Sequence, residues 1–170
     1  MTYNLNRPAP AFDPAAGALH AEHFQVAYVT NDLDQACDLF TKRLGIRAFT
    51  PIGGTNPQGG TIQTQLAWVG TVMYELVQAD GPETEIFSAH TPPSEAFAMV
   101  HHHLGYLIQG QQQWDGLLAH AEREGWAIPR RSENPLMQVC FLKVPGLPHY
   151  LEYLYPNSAG LDFFNSVARS

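Results

Sequence analysis

Gln25-Val26-Ala27-Tyr28-Val29 and His103-Leu104-Gly105-Tyr106-Leu107 read as one strand written twice, and this pairing decides the fold. A second landmark repeats at nearly the same distance. Tyr74-Glu75-Leu76-Val77 returns as Leu151-Glu152-Tyr153-Leu154, so the glutamates lie 77 residues apart and Gln25 and His103 lie 78 apart. Self-similarity at a fixed offset marks a duplicated unit.

The order of elements between the landmarks repeats as well. In the first half Phe24 to Val29 reads as a strand. Asp32 is a helix N-cap, Leu33, Ala36, Leu39, Phe40 and Leu44 recur at helical spacing, and Gly45 ends the helix. Arg47 to Pro51 and a Gly-rich loop from Gly53 to Gly60 lead to two short β-rich runs, Ile62 to Val69 and Thr71 to Gln78, which turn at Gly70 as a hairpin. The second half follows its strand at His103 with a helix from Trp114 to Glu124, closed by Gly125, and with strands at Trp126 to Arg130, Met137 to Val144 and His149 to Tyr155. The expected fold class is α+β: two tandem βαβββ modules, 22–79 and 101–156, forming a curved mixed sheet barrel. The connector 80–100 carries Pro82, Pro92 and Pro93 and fits no helix interior. A Pro/Ala-rich arm, 1–21, packs on the body or on a partner subunit, and a tail, 157–170, carries the aromatic run Leu161-Asp162-Phe163-Phe164.

Composition narrows the class. At 170 residues with 45% apolar and 15% charged side chains, the chain is long and apolar enough to bury a core and too apolar to be disordered. Its net charge is -7, from 16 acidic against 9 basic residues, with no basic cluster beyond Arg130-Arg131, which excludes nucleic acid and anionic membranes as partners. No run approaches the length of a membrane span and no leader is visible, so the expected location is cytoplasmic. Cys37 and Cys140 sit inside patterned segments and are expected to be reduced.

As duplicated modules, the two halves place ligand-type residues at equivalent positions: Gln25 and His103 at the start of the first strand, Glu75 and Glu152 in the last. Each alone has a plain reading, a glutamate at a solvated rim or a polar filler. Their matched repeat positions argue for a joint role. Period-two alternation puts Glu75 on a face with Met73 and Val77, and Glu152 with Tyr150 and Leu154, so each carboxylate points to an apolar side. A buried carboxylate is costly, and a metal offsets that cost. If the modules pair into a barrel, all four side chains meet on its concave face.

Gln25-Val-Ala-Tyr-Val-Thr-Asn-Asp-Leu-Asp-Gln-Ala, Tyr-Glu75-Leu-Val, His102-His103-Leu-Gly-Tyr and Tyr-Leu-Glu152-Tyr-Leu resemble the vicinal oxygen chelate superfamily, nearest to its glyoxalase and methylmalonyl-CoA epimerase branch. The resemblance covers residues 23 to 156. It implies a metal held by Gln25, Glu75, His103 and Glu152, with family spacing favouring Gln25 over His23 as the first ligand. Gln25 in that place departs from the two-histidine, one-glutamate set of the extradiol dioxygenases.

Two carboxylates, an amide and an imidazole suit Zn, Ni, Co, Mn or Fe(II) and leave about two open positions in an octahedral shell. Two adjacent oxygens of a small-molecule substrate fill them, and the reaction class that follows is proton abstraction next to a carbonyl by an isomerase, epimerase or lyase. Glu152 and Glu75 are the candidate bases, with Glu152 preferred. His101, which alternation puts on the face of His103, and Tyr150 and Trp68 are candidate pocket residues. The rival reading is a sequestering protein of the bleomycin-resistance type, without turnover. A homodimer is expected, with the arm as extra interface.

Overall fold

The computed structural model describes residues 8, 9 and 11–170. Eight strands form one sheet in the order β2-β3-β4-β1-β5-β8-β7-β6, curled into a half-barrel. In the first half β1 (Glu22–Thr30) runs parallel to β4 (Val72–Asp80), which pairs antiparallel with β3 (Thr61–Val69) and through it with β2 (Thr50–Thr55). The second half repeats this order: β5 (Met99–Leu107) is parallel to β8 (Tyr150–Pro156), followed by β7 (Met137–Lys143) and β6 (Ala127–Glu133). The halves meet where β1 and β5 pair antiparallel. The two parallel pairs are the crossovers that each module's helix makes possible.

Those helices cover the convex face. α1 (Leu33–Lys42) starts at Asp32, whose Oδ1 accepts from the Gln35 amide at 2.9 Å, and buries Leu33, Ala36 and Phe40 against Ala67 and Leu76. The helical spacing seen in the sequence is the stripe that makes this contact. α3 (Gln111–Arg123) buries Trp114, Leu117 and Ala121 against Tyr106, Leu142 and Tyr153. Part of the N-terminal arm joins this layer: Ala18 and Ala21 are buried in the same cluster and the Tyr153 hydroxyl donates to the Ala18 carbonyl. Cys37 and Cys140 are free thiols. Among the described residues no helix is long and apolar enough to cross a membrane.

Three segments differ from the expectation. The start of the Gly-rich stretch is not a loop: Thr50–Thr55 is an edge strand paired residue by residue with β3. Gly53 there has φ 144°, and a Cβ on it would run into the Ile62 carbonyl, so glycine is what lets the edge strand close. The Pro-rich connector folds one helical turn, α2 (Glu85–Ser88), whose Ile86 and Phe87 plug the barrel interior with Val77, Phe141 and Tyr150. The C-terminal run becomes α4 (Ser158–Ser166), capped by Asn157, whose Oδ1 accepts from the Gly160 amide at 3.0 Å. Its Phe164 packs on Phe24 and joins Leu154 and Met73 inside the barrel.

Candidate metal centre

Strand register builds the site. Ala27 of β1 stands between Glu75 of β4 and His103 of β5, while Gly105 of β5 stands between Gln25 of β1 and Glu152 of β8. The two rows are related by the repeat, and each has its smallest residue in the middle. Side chains from the outer positions therefore reach over Ala27 or Gly105 toward one another. Glu75 shares its side of β4 with buried Met73 and Val77, and Glu152 shares its side of β8 with Tyr150 and Leu154, so both carboxylates face the concave interior.

There, one donor atom each from Glu75, His103 and Glu152 lie within 4.8 Å of one another. His103 Nε2 is 3.1 Å from Glu75 Oε2 and 3.0 Å from Glu152 Oε2, and the imidazole is fully buried. Neither oxygen lies along the ring's N–H direction, so Nε2 is close to two charges yet makes no hydrogen bond. Adjacent ligands of an octahedral ion with bonds of about 2.1 Å are themselves about 3.0 Å apart. The two distances from Nε2 match this spacing and all three atoms lie within 4.8 Å, so the residues fit a divalent cation. Gln25 adjoins these three. Its Nε2 donates to Glu75 Oε2 at 2.9 Å while its buried Oε1 has no partner.

Electrostatics match this geometry. Burial raises the Glu75 carboxyl above the usual carboxylate range, and nearby Glu152 adds to the rise while His103 opposes it. Burial alone would lower His103, but Glu152 and Glu75 outweigh it and raise the imidazole to about 10. Without a cation in place, the cluster attracts positive charge and holds it as a proton.

Two bulges, one in each half, set which side chains face in. The register of β1 against β5 slips between His23 and Gln25, and again between Ala27 and Tyr28. Phe24 and His102 are the unpaired residues, and these positions correspond in the repeat, 78 residues apart. At each bulge two consecutive side chains turn inward, Phe24 with Gln25 and His102 with His103. The bulge breaks the period-two pattern, so His101 does not share the face of His103. It is exposed and packs edge-on against Tyr28 and at a tilt against His149, with ring centroids 5.8 and 4.8 Å away. His23 likewise points away, exposed and packed on Tyr106, leaving Gln25 as the inward residue.

His102 was not among the candidates from sequence, because alternation predicts the opposite face for it. It is buried, and its Nε2 lies 2.7 Å from the Ile86 carbonyl, which only accepts, so that nitrogen carries the proton and donates. Burial, followed by charge on His103, lowers its pKa to about 3, and the neutral ring presents Nδ1 as an acceptor. His103 Nδ1, 2.8 Å away, donates to it. This relay fixes the tautomer of His103 with Nε2 turned to the carboxylates.

A cavity of 260 Å³ opens beside Gln25, Glu75 and Glu152, walled by Leu66, Val139 and Leu154 and closed by Phe163 and Phe164 of α4. Neither Tyr150 nor Trp68 lines it. Tyr150 lines a separate 630 Å³ cavity with His90 and Arg130. Trp68 is half-buried against Phe24 and donates from Nε1 to the Phe164 carbonyl at 2.9 Å, so it holds the tail rather than lining the cavity.

With strand order, duplication and site in hand, comparison with solved structures decides the fold. A methylmalonyl-CoA epimerase from Mycobacterium tuberculosis superposes with TM-score 0.55 at 12% identity over 80% of this chain and 88% of that one. The chain has the vicinal oxygen chelate fold. A Streptomyces coelicolor methylmalonyl-CoA epimerase variant, in complex with 2-nitronate-propionyl-CoA, matches with TM-score 0.54 at 12% identity over 81% and 99% of the two chains. BphC, a halotolerant catechol dioxygenase, matches with TM-score 0.52 at 10% identity, over 78% of this chain and 39% of that one. No protein-family model and no curated protein sequence matched the chain.

Proposed function

We propose that this protein is a divalent-metal-dependent isomerase, epimerase or lyase that removes the proton next to a carbonyl of a substrate chelated through two vicinal oxygens. Gln25, Glu75, His103 and Glu152 are the metal ligands in this reading. The observation that carries it is the convergence of the Glu75, His103 and Glu152 donor atoms within 4.8 Å on the concave face, beside a cavity. A divalent ion bound there, Zn, Ni, Co, Mn or Fe(II), supplies Lewis-acid polarisation of the carbonyl.

The residues divide the remaining work. Glu75 is tethered by Gln25 Nε2, which suits a fixed ligand. The Glu152 carboxylate accepts no hydrogen bond from the described residues and lines the cavity, which suits a base that moves a proton. The substrate C–H bond breaks, its electron pair passes into the carbonyl to leave an enolate, and Glu152 holds the proton until it returns to carbon.

The test is hydrogen exchange. Incubated with metal and a panel of small 2-oxo and 2-hydroxy compounds in deuterated water, the protein exchanges the α proton of at least one, followed by NMR. Glu152→Gln abolishes exchange more completely than it weakens metal binding, because it keeps an oxygen donor and removes the base. Tight binding of a ligand that never exchanges or changes establishes the sequestering alternative instead. The same reading includes a cytoplasmic location and a homodimer, the dimer supported by the exposed Leu19 and Leu147 beside Trp126. Light scattering at tens of micromolar that gives the monomer mass refutes the dimer.

A further inference from the structure

The chamber beside the carboxylates is chemically lopsided. One wall carries Gln25, Glu75 and Glu152, and the rest is apolar except for Asn134. No lysine or arginine lines it among the described residues. The two adjacent arginines of the chain, Arg130 and Arg131, line the other cavity, with Glu83 and Glu85. A phosphate or carboxylate at the end of the substrate remote from the metal ligands would face aliphatic and aromatic side chains with no lysine or arginine to pair with, at the cost of desolvating a charge. An apolar substituent would be buried at a gain instead. The volume, 260 Å³, lies below the roughly 300–1,000 Å³ of sites that enclose drug-sized ligands.

Resting on the proposed function, we infer that the substrate is a small, uncharged compound with an aliphatic or aryl substituent. Its vicinal oxygens face Glu75 and Glu152, and its substituent packs against Leu66, Leu154, Phe163 and Phe164. Phosphorylated compounds and coenzyme A thioesters are excluded as substrates. The size of the chamber and the helix that closes it set this specificity. Part of that wall, Phe163 and Phe164, comes from the C-terminal helix, outside both repeats, so it can differ between proteins that share the duplicated core.

The test compares matched 2-hydroxy ketones. Full-length protein with one equivalent of Zn is titrated in deuterated water with 2-hydroxy-1-phenylethanone, hydroxyacetone and dihydroxyacetone phosphate. Binding is read from ligand line broadening and exchange from the α-proton signal. The phenyl compound is expected to bind roughly tenfold or more tightly than the phosphorylated one, from the burial of its ring. Equal or tighter binding of dihydroxyacetone phosphate, or no binding of the phenyl compound, overturns the inference. Preferential binding of the phenyl compound without exchange supports the substrate class and overturns the proton-abstraction reading, so the two failures are distinct. Phe163→Arg, with its fold checked by circular dichroism, is expected to shift the preference toward the phosphorylated compound. An unchanged order of affinities in that variant shows that α4 does not select the substituent and also overturns the inference.

Discussion

Gln25 lies across Gly105. The two are paired between β1 and β5, and a Cβ built on the glycine would stand 2.7 Å from the Gln25 Cβ and collide with the amide oxygen as well. Contacts under about 3 Å between such carbons do not occur, so one of the two groups must move. Gly105 lacks a positive φ, and its requirement for glycine is therefore one of space over the site rather than of backbone conformation.

Gly105→Ala is accordingly expected to fold and to displace the Gln25 amide from Glu75. Metal affinity should fall by about 10- to 100-fold, the usual cost of disturbing the groups that orient a ligand. Competition titration with a chromophoric chelator measures it. Unchanged affinity would show that Gln25 is not a ligand.

Metal should stabilise the fold because it binds a cluster formed only when β1, β4, β5 and β8 assemble. At free ion near 100 times Kd the gain is about 2.7 kcal/mol. In a chain of this length that raises Tm by about 5–10 °C. A chelator reverses the shift, and His103→Ala removes it. A Tm indifferent to Zn, Ni, Co and Mn in the wild type would sink the site.

His102 separates packing from positioning. His102→Phe keeps an aromatic ring among Phe87, Phe141 and Tyr150, as Phe24 does at the corresponding bulge, but removes the acceptor for His103 Nδ1. Metal affinity is expected to drop about 10-fold or more, and Tm without metal to fall by several degrees as the Ile86 carbonyl and the His103 Nδ1–H lose their buried partner. His102→Asn returns an acceptor near the Nδ1 position and should restore most of the affinity. Equal affinity in all three proteins would reduce His102 to a core residue.

The two thiols should report burial through pH. Burial, with a smaller push from Glu152, raises Cys140 to about 12, and burial followed by Asp34 and Asp38 raises Cys37. A raised thiol pKa means less thiolate at any pH below it, hence slower alkylation. At pH 8, native protein should label slowly at Cys37 and not at Cys140, with both labelled at once in denaturant. Mass spectrometry of the alkylated peptides reads this directly, and rapid native labelling of Cys140 would contradict the packing of β7.

What the sequence determined alone was whatever could be carried by order and spacing along the chain. The repeat of Gln25 at His103 and of Glu75 at Glu152 is a one-dimensional fact, as are the cap at Asp32 and the helical stripe through Phe40. Alternation along β4 and β8 likewise told which side of each strand held a carboxylate, because neither strand is bulged at Glu75 or Glu152. Tertiary structure alone decided the rest. Whether His101 or His102 accompanies His103 depends on a bulge created by hydrogen bonding to β1, over seventy residues away, and a local period cannot encode that partner's register. The plug at Phe87 and the wall at Phe163 and Phe164 come from short segments whose own sequences favour no strong helix, and they are held by burial against the barrel they close. The donor chemistry of the proposed ligands was therefore legible in the chain. The shape and polarity of the space beside them were not, because a cavity belongs to no segment and exists only between segments that meet.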